Sequence, residues 1–326
     1  MDRYRGNIED FLQNVGRYED YLREDPGENV NEWVKNYQKE PLSTQYWTDR
    51  QLIEGRCTPQ GTFRFAARAN SDLGIPQRNF RKPVLPSNPQ KPEMQDKFFH
   101  LSTVGLGTYL GLPDDETDFE VYNAAKLLVQ SGGLNVIDTA INYRCQKSER
   151  AIGAALNTLL TSEDATVKRD ELFICSKNGY IPDDSDLGKS ASMLTQELIE
   201  EGLITREDVA AEIHCMHPRF LEHQLEASKR NLGLQTIDLM YLHNAYESQA
   251  NFLGDDQVFM DKLARAFEFY EGKRDSGDIQ YYGMATWLCF RAKEEEEKIY
   301  LNLQKVVELA EKIGGSKNMH GLRFIQ

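Results

Sequence analysis

The chain has 326 residues, of which 40% are hydrophobic, 10% are aromatic and 28% are charged. This length suffices for one barrel of ~250 residues with an extension, or for two ordinary domains, each with a sizeable core. Its 52 acidic and 38 basic residues give a net charge of −14, a sign that repels phosphate backbones and anionic lipid. We therefore expect neither a nucleic acid nor a membrane as a partner, and no apolar run approaches the ~18 residues that span a bilayer.

The cysteines are odd in number and widely spaced, and they include no C-x-x-C pair. They are Cys57, Cys145, Cys175, Cys215 and Cys289. Such a pattern predicts reduced thiols in a cytosol-like compartment rather than a disulfide framework. The N-terminus also lacks the apolar stretch of a secretory signal and is too acidic for a transit peptide, so we expect a cytoplasmic protein.

Residues 1–97 differ from the rest of the chain, because they are polar and aromatic and become rich in proline towards their end. Apolar residues on one stripe predict a helix over residues 6–23. Thr58, which is followed by a proline, predicts the start of a second helix. The prolines between residues 75 and 94 predict an extended linker. We therefore predict an N-terminal extension over residues 1–97 and a second domain over residues 98–326.

In the predicted second domain, short apolar runs alternate with amphipathic segments. The predicted strands are Leu101–Tyr109, Asn135–Ala140, Leu172–Tyr180, Ile237–His243, Ile279–Trp287 and Leu322–Gln326. The predicted helices are Asp118–Gln130, Ser148–Leu160, Gln257–Ser276 and Leu301–Ile313, together with a long, largely helical stretch that ends at Leu232. This alternation favours parallel strands with crossover helices, and it fits an open doubly wound sheet as well as a closed barrel.

Polar side chains stand at the ends of three successive predicted strands. Asp138, Lys177 and His243 close or nearly close these strands, and Tyr143 follows Asp138 on the next loop. The carboxyl ends of parallel strands are where barrel enzymes carry their chemistry. Each residue alone has an ordinary structural explanation, as a turn residue, a solvated base or a packed ring. Four of them at consecutive strand ends favour a catalytic site.

The segments around these residues closely resemble the signature of the aldo/keto reductase family. They are Asp138-Thr139-Ala140-Ile141-Asn142-Tyr143, Ser148-Glu149-Arg150-Ala151-Ile152-Gly153, Ser176-Lys177, Leu242-His243-Asn244 and the first-strand turn Gly105-Leu106-Gly107-Thr108. The resemblance runs from about residue 98 to residue 326 and implies an α/β fold of the (β/α)8 TIM-barrel type. It also implies hydride transfer between NADP(H), with NAD(H) as the other possibility, and a carbonyl or alcohol substrate such as an aldehyde, a ketone or a sugar.

The chemistry of the four side chains agrees with this resemblance. A hydride that reaches a carbonyl carbon leaves negative charge on the oxygen, so a proton donor must lie within ~3 Å of that oxygen. Tyr143 is the predicted donor, and an ammonium at Lys177 is expected to lower the pKa of its phenol. Asp138 is expected to keep Lys177 charged and oriented. His243 is expected to donate a hydrogen bond to the carbonyl oxygen and to polarise it.

The resemblance assigns the cofactor to the first-strand turn and to later strand ends. The residues expected to bind it are Gly105, Gly107, Thr108, Asp138, Asn244, Thr286 and Gln326. The family usually ends its fifth strand in a Ser-Asn pair that holds the nicotinamide amide, so Thr286 must substitute here. Gln326 matches the residue of strand six that contacts the same amide.

The sequence stops inside the sixth predicted strand, before strands seven and eight and the basic loop that grips the adenosine phosphates. Three interpretations stay open. In the favoured interpretation the sequence is truncated, and in the second another chain completes the barrel. Alternatively, residues 1–97 cover the gap and the protein is a binding or assembly protein without turnover. The expected partner in the favoured case is a small-molecule carbonyl or alcohol.

Histidines cluster after the third predicted strand, at His214, His217 and His223. Zinc sites need convergent ligands with a suitable loop, and these histidines fall between two helical stretches, so we expect no metal site. A metal-dependent barrel hydrolase would need more His and carboxylate ligands than the strand ends offer. Residues 181–216 are long for a barrel loop, and we expect them to help define the substrate pocket.

Overall fold

A computed structural model describes residues 51–83, 98–163, 165–253, 256–293, 299–315 and 319–326. The helix predicted over residues 6–23 lies outside these ranges. The chain divides into two compact units, Met1–Pro41 and Leu42–Gln326, and every described residue belongs to the second unit.

Within the described residues, short strands alternate with longer helices. The strands are β1 (Phe80–Arg81), β2 (Leu101–Ser102), β3 (Leu106–Gly107), β4 (Val136–Asp138), β5 (Phe173–Asn178), β6 (Val209–Ala210), β7 (His214–Cys215), β8 (Ile237–His243), β9 (Ile279–Ala285) and β10 (Leu322–Ile325). The α-helices are α1 (Pro59–Ser71), α2 (Asp115–Gln130), α3 (Lys147–Thr161), α4 (Ala191–Glu200), α5 (Pro218–Leu232), α6 (Ala245–Leu253), α7 (Asp256–Ser276) and α8 (Leu303–Gly314).

Six strands form one parallel sheet in the order β10-β9-β8-β5-β4-β3. Each of them pairs with the next one along the chain, once the small antiparallel hairpin β6-β7 is set aside. A doubly wound sheet reverses its strand order part-way, whereas the strands of a (β/α)8 barrel continue in one direction. The strand order therefore favours the barrel arrangement, and the parallel sheet confirms the predicted α/β class.

The inward face of the sheet has two layers. The base is an apolar layer that includes Cys175 and Tyr241, and the rim is the polar layer above it that includes Lys177 and His243. Because side chains alternate along a strand, Cys175 shares a face with Lys177 on β5, and Tyr241 shares a face with His243 on β8. Cys175 and Tyr241 are buried in one apolar cluster, which Phe99 also joins. The polar side chains thus occupy the last inward positions, above an apolar plug.

The last strand approaches its neighbour closely at Gly283. A Cβ atom at this position would lie 2.4 Å from the carbonyl oxygen of Phe324 and 2.8 Å from ring carbons of Tyr241. No side chain fits at these distances, so the glycine allows β10 to pair with β9 while the Tyr241 ring fills the interior. Through this pairing β10 brings Gln326 to the rim of the sheet.

The structure confirms the predicted start of α1 but corrects the first strand. Thr58 caps α1, since its hydroxyl accepts a hydrogen bond of 2.9 Å from the backbone N–H of Gly61. The prediction of one strand over Leu101–Tyr109 is wrong. Two short strands replace it, because β2 pairs antiparallel with β1 while β3 pairs parallel with β4.

The fifth strand of the sheet also ends earlier than predicted. Its predicted end at Trp287 is wrong, because β9 stops at Ala285. The backbone N–H groups of Trp287, Leu288 and Cys289 turn away from the sheet and donate to Glu247 Oε1 at 3.1, 3.0 and 3.1 Å. The Glu247 carboxylate on α6 therefore accepts from the backbone N–H groups that would bond to a neighbouring strand if β9 were longer.

The long, largely helical stretch predicted to end at Leu232 is wrong as well. It contains α4, the hairpin β6-β7 and then α5. Ala211 and Glu212 adopt left-handed φ values of 50° and 61°, which let the chain reverse between β6 and β7. Sequence reasoning also missed the short helix α6, which follows β8 directly.

Residues 51–83 pack with the sheet and its helices. Arg68 on α1 forms an ion pair of 2.7 Å with Glu171, which precedes β5. The backbone N–H of Ile53 donates to the carbonyl of Gly233 at 2.8 Å, beside the start of β8. These contacts connect residues 51–83 to the sheet and to the segments beside it.

The five cysteines are all free in the structure. Four of them are buried and Cys145 is partly exposed. In the part of the chain that the structure describes, no helix combines the length and the apolar character needed to cross a membrane.

Candidate active site

The strand register brings the predicted catalytic side chains to one end of the sheet. Asp138 ends β4 and lies opposite Cys175 on β5, so Lys177 stands one inward position further along the strand direction. His243 ends β8, and Tyr143 begins the turn that follows β4. The four side chains therefore meet above the apolar plug, at the carboxyl ends of the strands.

Lys177 lies at the centre of this group. Its ammonium donates a hydrogen bond to Asp138 Oδ1 and another, of 3.1 Å, to the carbonyl oxygen of Thr139. The lysine side chain is 1% exposed and the Asp138 side chain is 20% exposed. Since a buried charge needs a paired and hydrogen-bonded environment, the carboxylate and the carbonyl together hold the ammonium in place.

The phenol of Tyr143 lies beside the ammonium, with 4.8 Å between Lys177 Nζ and the centre of the ring. Burial raises the pKa of Tyr143, and the charge and hydrogen bond of Lys177 act in the opposite direction. Lys177 thus lowers the pKa of Tyr143 as expected, but burial outweighs the ammonium and the net shift is upward. The phenol consequently keeps its proton near neutral pH, which is the form that a proton donor requires.

The imidazole of His243 faces the same phenol. The two ring centres lie 5.7 Å apart, and the ring planes are inclined by 77°. Burial, the charge of Lys177 and the neighbouring His214 lower the pKa of His243 to about 3. Its Nδ1 atom is buried and has no hydrogen-bond partner among the described residues. The ring is therefore neutral and can donate one hydrogen bond.

The first-strand turn contains three predicted cofactor residues in different surroundings. Gly107 borders open space, since nothing lies within 4 Å of where its Cβ would stand, whereas a Cβ on Gly105 would approach Val136 at 3.3 Å. Thr108 is buried, and its hydroxyl donates to Thr139 Oγ1 at 2.9 Å. The turn thus borders free space at Gly107, and the hydrogen bond of Thr108 fixes the turn against the sheet.

The other predicted cofactor residues lie at the ends of β8, β9 and β10. The backbone N–H of Thr286 donates to the carbonyl of Gln326 at 2.9 Å, so the two residues are neighbours. The amide nitrogen of Gln326 donates to Asp138 Oδ2 at 3.2 Å. Asn244 has a left-handed φ of 44° and donates its backbone N–H to Ala285 at 2.6 Å. Gln326 therefore contacts Asp138 directly, whereas Asn244 turns the backbone at the end of β8.

Most of these residues lie within the range that a known family model matches. The model of the aldo/keto reductase family matches residues 103–300. The chain belongs to the aldo/keto reductase family. The six parallel strands and the polar rim agree with the barrel fold of that family.

Three solved structures of aldo-keto reductases are similar to the chain. A holo form from Bacillus halodurans is 19% identical, with a TM-score of 0.40, and the match covers 68% of this chain and 55% of that one. A thermostable enzyme in complex with the inhibitor epalrestat is 19% identical, with a TM-score of 0.38, and the match covers 62% of this chain and 56% of that one. An enzyme from Klebsiella pneumoniae in complex with NADP and acetate is 18% identical, with a TM-score of 0.36, and the match covers 66% of this chain and 53% of that one.

The match therefore spans about half the length of these solved structures. A search of curated protein sequences finds no match to the chain.

In this member of the aldo/keto reductase family, two aromatic rings beside the site were missed by sequence reasoning. The ring of Tyr109 lies 5.0 Å from that of Tyr143, and the ring of Tyr180 lies 5.0 Å from that of His243. Each of the two residues is the last one of a predicted strand. That position, just beyond the carboxyl end of a strand, is the signal that could have identified them.

The histidine cluster after β5 does not form a metal centre in the described residues, which contain no group of three or more potential His, Cys, Asp or Glu ligands. His214 is fully buried in β7, whereas His217 is only partly buried. His214 lies directly below the carbonyl of His243, so this loop contacts the active-site strand.

Proposed function

We propose that this protein transfers a hydride between NADP(H) and a carbonyl or alcohol substrate, such as an aldehyde, a ketone or a sugar. The observation that supports the proposal is the convergence of an ammonium, a carboxylate, a phenol and an imidazole at one end of a parallel sheet. Membership of the aldo/keto reductase family agrees with this chemistry.

In the direction of reduction, Tyr143 donates its phenolic proton to the carbonyl oxygen. The negative charge left on the phenol is stabilised by the ammonium of Lys177, which lies 4.8 Å from the ring centre. Because burial raises the pKa of Tyr143, the proton leaves when the substrate oxygen becomes negative and not before. Asp138 acts through its ion pair, which keeps the ammonium beside the phenol.

His243 acts on the same carbonyl oxygen as a hydrogen-bond donor. Its pKa of about 3 keeps the imidazole neutral, so one ring nitrogen carries a proton and the other does not. A neutral donor stabilises the developing oxyanion without delivering a proton to it. Tyr143 and His243 therefore divide the work between proton transfer and polarisation.

NADP(H), when bound, supplies or takes up the hydride. We assign its nicotinamide end to the open space beside Gly107 and to the polar groups of Asn244, Thr286 and Gln326. Asn142 Oδ1 is buried and has no partner among the described residues, so it offers an acceptor near Tyr143. Open backbone at a strand end, together with amide donors and acceptors, fits a flat ring that carries an amide.

Turnover of the full chain with NADPH, and separately with NADH, over a series of aldehydes, ketones and sugars tests the proposal. Tyr143→Phe is expected to lower kcat by roughly 10²–10⁴-fold, since it removes the general acid. The Kd for NADPH, measured by nicotinamide fluorescence, is expected to stay within about twofold, because the phenol acts in the transition state.

Tyr122→Phe is the matched control. It removes a phenolic hydroxyl that lies 3.0 Å from Thr158 on the outer helices and is expected to leave kcat unchanged. Cofactor binding without any turnover in the wild-type chain would contradict the proposal and indicate a binding protein. Equal loss of turnover and cofactor affinity in Tyr143→Phe would indicate a role in folding.

A further inference from the structure

The loop after β5 returns to the end of that strand and carries His214 below His243. The backbone N–H of Cys215 donates to the carbonyl of Gly179 at 2.9 Å, and His214 forms an antiparallel bridge with Tyr180. The His214 side chain is fully buried. The loop therefore continues the pairing beyond the strand end and inserts an imidazole behind the active-site rim.

The His214 imidazole connects the backbone of His243 to Gln249. Its Nε2 atom lies 2.8 Å from the carbonyl oxygen of His243, and its Nδ1 atom lies 3.0 Å from the side-chain nitrogen of Gln249. A carbonyl oxygen can only accept, so Nε2 carries the proton and Nδ1 accepts from the amide. Both nitrogens of a neutral ring are thereby satisfied, and burial lowers the pKa of His214 to about 4, which keeps the ring neutral.

This contact clamps one peptide unit from both sides. The carbonyl of His243 accepts from His214, and the N–H of the same peptide, which belongs to Asn244, donates to Ala285 at 2.6 Å. Because the peptide is planar and trans, its C=O and N–H groups point to opposite sides and reach different partners. The backbone that carries the His243 ring therefore has one orientation.

The clamp is important because the His243 ring lacks the usual orienting bond. Catalytic histidines are commonly oriented by a hydrogen bond at the nitrogen that does not react. Here Nδ1 of His243 has no partner among the described residues. Its direction depends on the peptide clamp and on ring packing, in which Tyr180 lies 5.0 Å from His243 and 5.2 Å from His214, nearly perpendicular to both.

Two further features of the chain fit this arrangement. Gly179 has φ +116°, and a Cβ atom there would lie 2.6 Å from His214 Nε2, so only glycine allows the imidazole to approach. Helix α6 supports the arrangement from the other side: Gln249 holds His214, and Ser248 donates to the Tyr180 hydroxyl at 3.2 Å.

We infer that His214 is a positioning residue for the proposed reaction: by clamping the carbonyl of His243, it holds the His243 imidazole at the angle from which it donates to the substrate oxygen. The kinetic part of this inference rests on the proposed function, whereas the orientation of the His243 ring does not. The residue that resembled a metal ligand in the sequence thus acts as an internal hydrogen-bond donor.

Two substitutions separate the donor from the volume of the ring. In His214→Gln, the side-chain nitrogen reaches the position of Nε2 and can still donate to the carbonyl of His243. His214→Leu keeps apolar volume and removes the donor. Because a misplacement of ~1 Å can cost 10²-fold in rate, we expect a kcat loss of roughly 10–100-fold in His214→Leu and recovery to within about fivefold in His214→Gln. KM and the Kd for NADPH are expected to change by less than about threefold, since cofactor and substrate contacts remain.

His217→Gln is the matched control, because it removes a partly buried histidine from the same segment and is expected to leave kcat unchanged. If His214→Leu fails to fold, Gln249→Leu takes its place. This substitution removes the group that donates to Nδ1 of His214, so the proton of the imidazole is no longer held on Nε2. It is expected to lower kcat by a smaller factor than His214→Leu. An unchanged kcat in both His214→Leu and Gln249→Leu would overturn the inference.

An experiment without turnover separates this inference from the proposed function. The chain has six histidines, so nitrogen–proton spectra of the imidazole rings contain six sets of signals, and His243→Asn identifies the set of His243. We expect one sharp set for His243 in the wild type and in His214→Gln, and a shifted or split set in His214→Leu. Unaltered His243 signals in His214→Leu would overturn the inference even if the wild type reduces carbonyls. Absence of turnover in the wild type, with the expected spectra, would contradict the proposed function alone.

Discussion

Asp138 and Asp238 are both paired with a basic side chain, but they lie at opposite ends of the sheet. Asp138 is at the rim, is 20% exposed and accepts hydrogen bonds from Lys177 and Gln326. Asp238, near the start of β8, is 0% exposed. It accepts four hydrogen bonds of 2.7 to 2.8 Å, from the backbone of Cys57 and Ile174 and from the side chains of Gln280 and Arg169.

The comparison sets a carboxylate that stabilises the fold against one that belongs to the proposed reaction site. At the base, both oxygens of Asp238 are taken and the cation is an arginine, which cannot release its proton. At the rim, the Asp138 side chain is 20% exposed and its cation is a lysine, which can release its proton.

The largest expected effect is on stability, and it distinguishes the two aspartates directly. Asp238→Asn is expected to lower the free energy of unfolding by roughly 3–5 kcal/mol, because Arg169 stays charged in a buried place. Asp138→Asn is expected to lower it by about 1–2 kcal/mol, since a lysine without its partner can release its proton. Urea denaturation of both variants measures the difference.

Turnover should reverse this ranking. Asp138→Asn is expected to lose most of kcat, because the ammonium beside Tyr143 is no longer held, whereas Asp238→Asn keeps kcat at temperatures where it stays folded. Equal losses of stability in the two variants would contradict the proposed difference between the two aspartates. Loss of kcat in both variants, at temperatures where both stay folded, would contradict it as well.

The second expected effect concerns pH, because the rim buries a neutral imidazole. The pKa of His214 is about 4 in the folded protein and ~6.5 in an unfolded chain. Between these values the unfolded chain binds more protons, so the free energy of unfolding falls as the pH falls. From pH 7 to pH 5 this histidine should contribute a loss of about 2 kcal/mol.

Urea denaturation of the wild type and of His214→Gln at both pH values measures this contribution. The variant is expected to lose less stability between pH 7 and pH 5, because it has one neutral buried imidazole fewer. His217→Gln again serves as the control and should follow the wild type. Identical losses in the wild type and in His214→Gln would mean that His214 already carries a proton in the folded state.

The sheet could be predicted best where both faces of a strand are buried. β8 has the predicted bounds, because seven consecutive residues are buried and form one uninterrupted, largely apolar run. The predicted first strand failed because β2 and β3 have two residues each and pair with different partners, which leaves no period to detect. The early end of β9 could not be predicted either, since it depends on Glu247 from another element.

The same limit applies to the site. The placement of Asp138, Lys177 and His243 at one end of the sheet could be predicted from the sequence, because each follows an apolar run and lies in a family motif. The role of His214 could not, because its contact with His243 depends on how the hairpin β6-β7 folds back. The sign of the pKa shift of Tyr143 was also inaccessible, since it depends on how deeply the ring is buried.

The smallest expected effect tests whether the rim carboxylate is connected to the proposed cofactor site. The side-chain amide of Gln326 donates to Asp138 Oδ2 at 3.2 Å and is exposed. Gln326→Leu removes one hydrogen-bonding group worth ~1 kcal/mol, so the Kd for NADPH is expected to rise by roughly fivefold with little change in melting temperature. Nicotinamide fluorescence titration measures this shift.

Gln235→Leu is the matched control for this substitution, because Gln235 is an exposed amide that donates to a carboxylate, Glu54, at 3.5 Å near the base. It should leave the Kd unchanged. If Gln326→Leu also leaves the Kd unchanged, the end of β10 does not contribute to cofactor binding. The part of the rim with a proposed function would then be limited to the ends of the strands that carry Asp138, Lys177 and His243. The contrast between rim and base would depend on these three residues and on Tyr143.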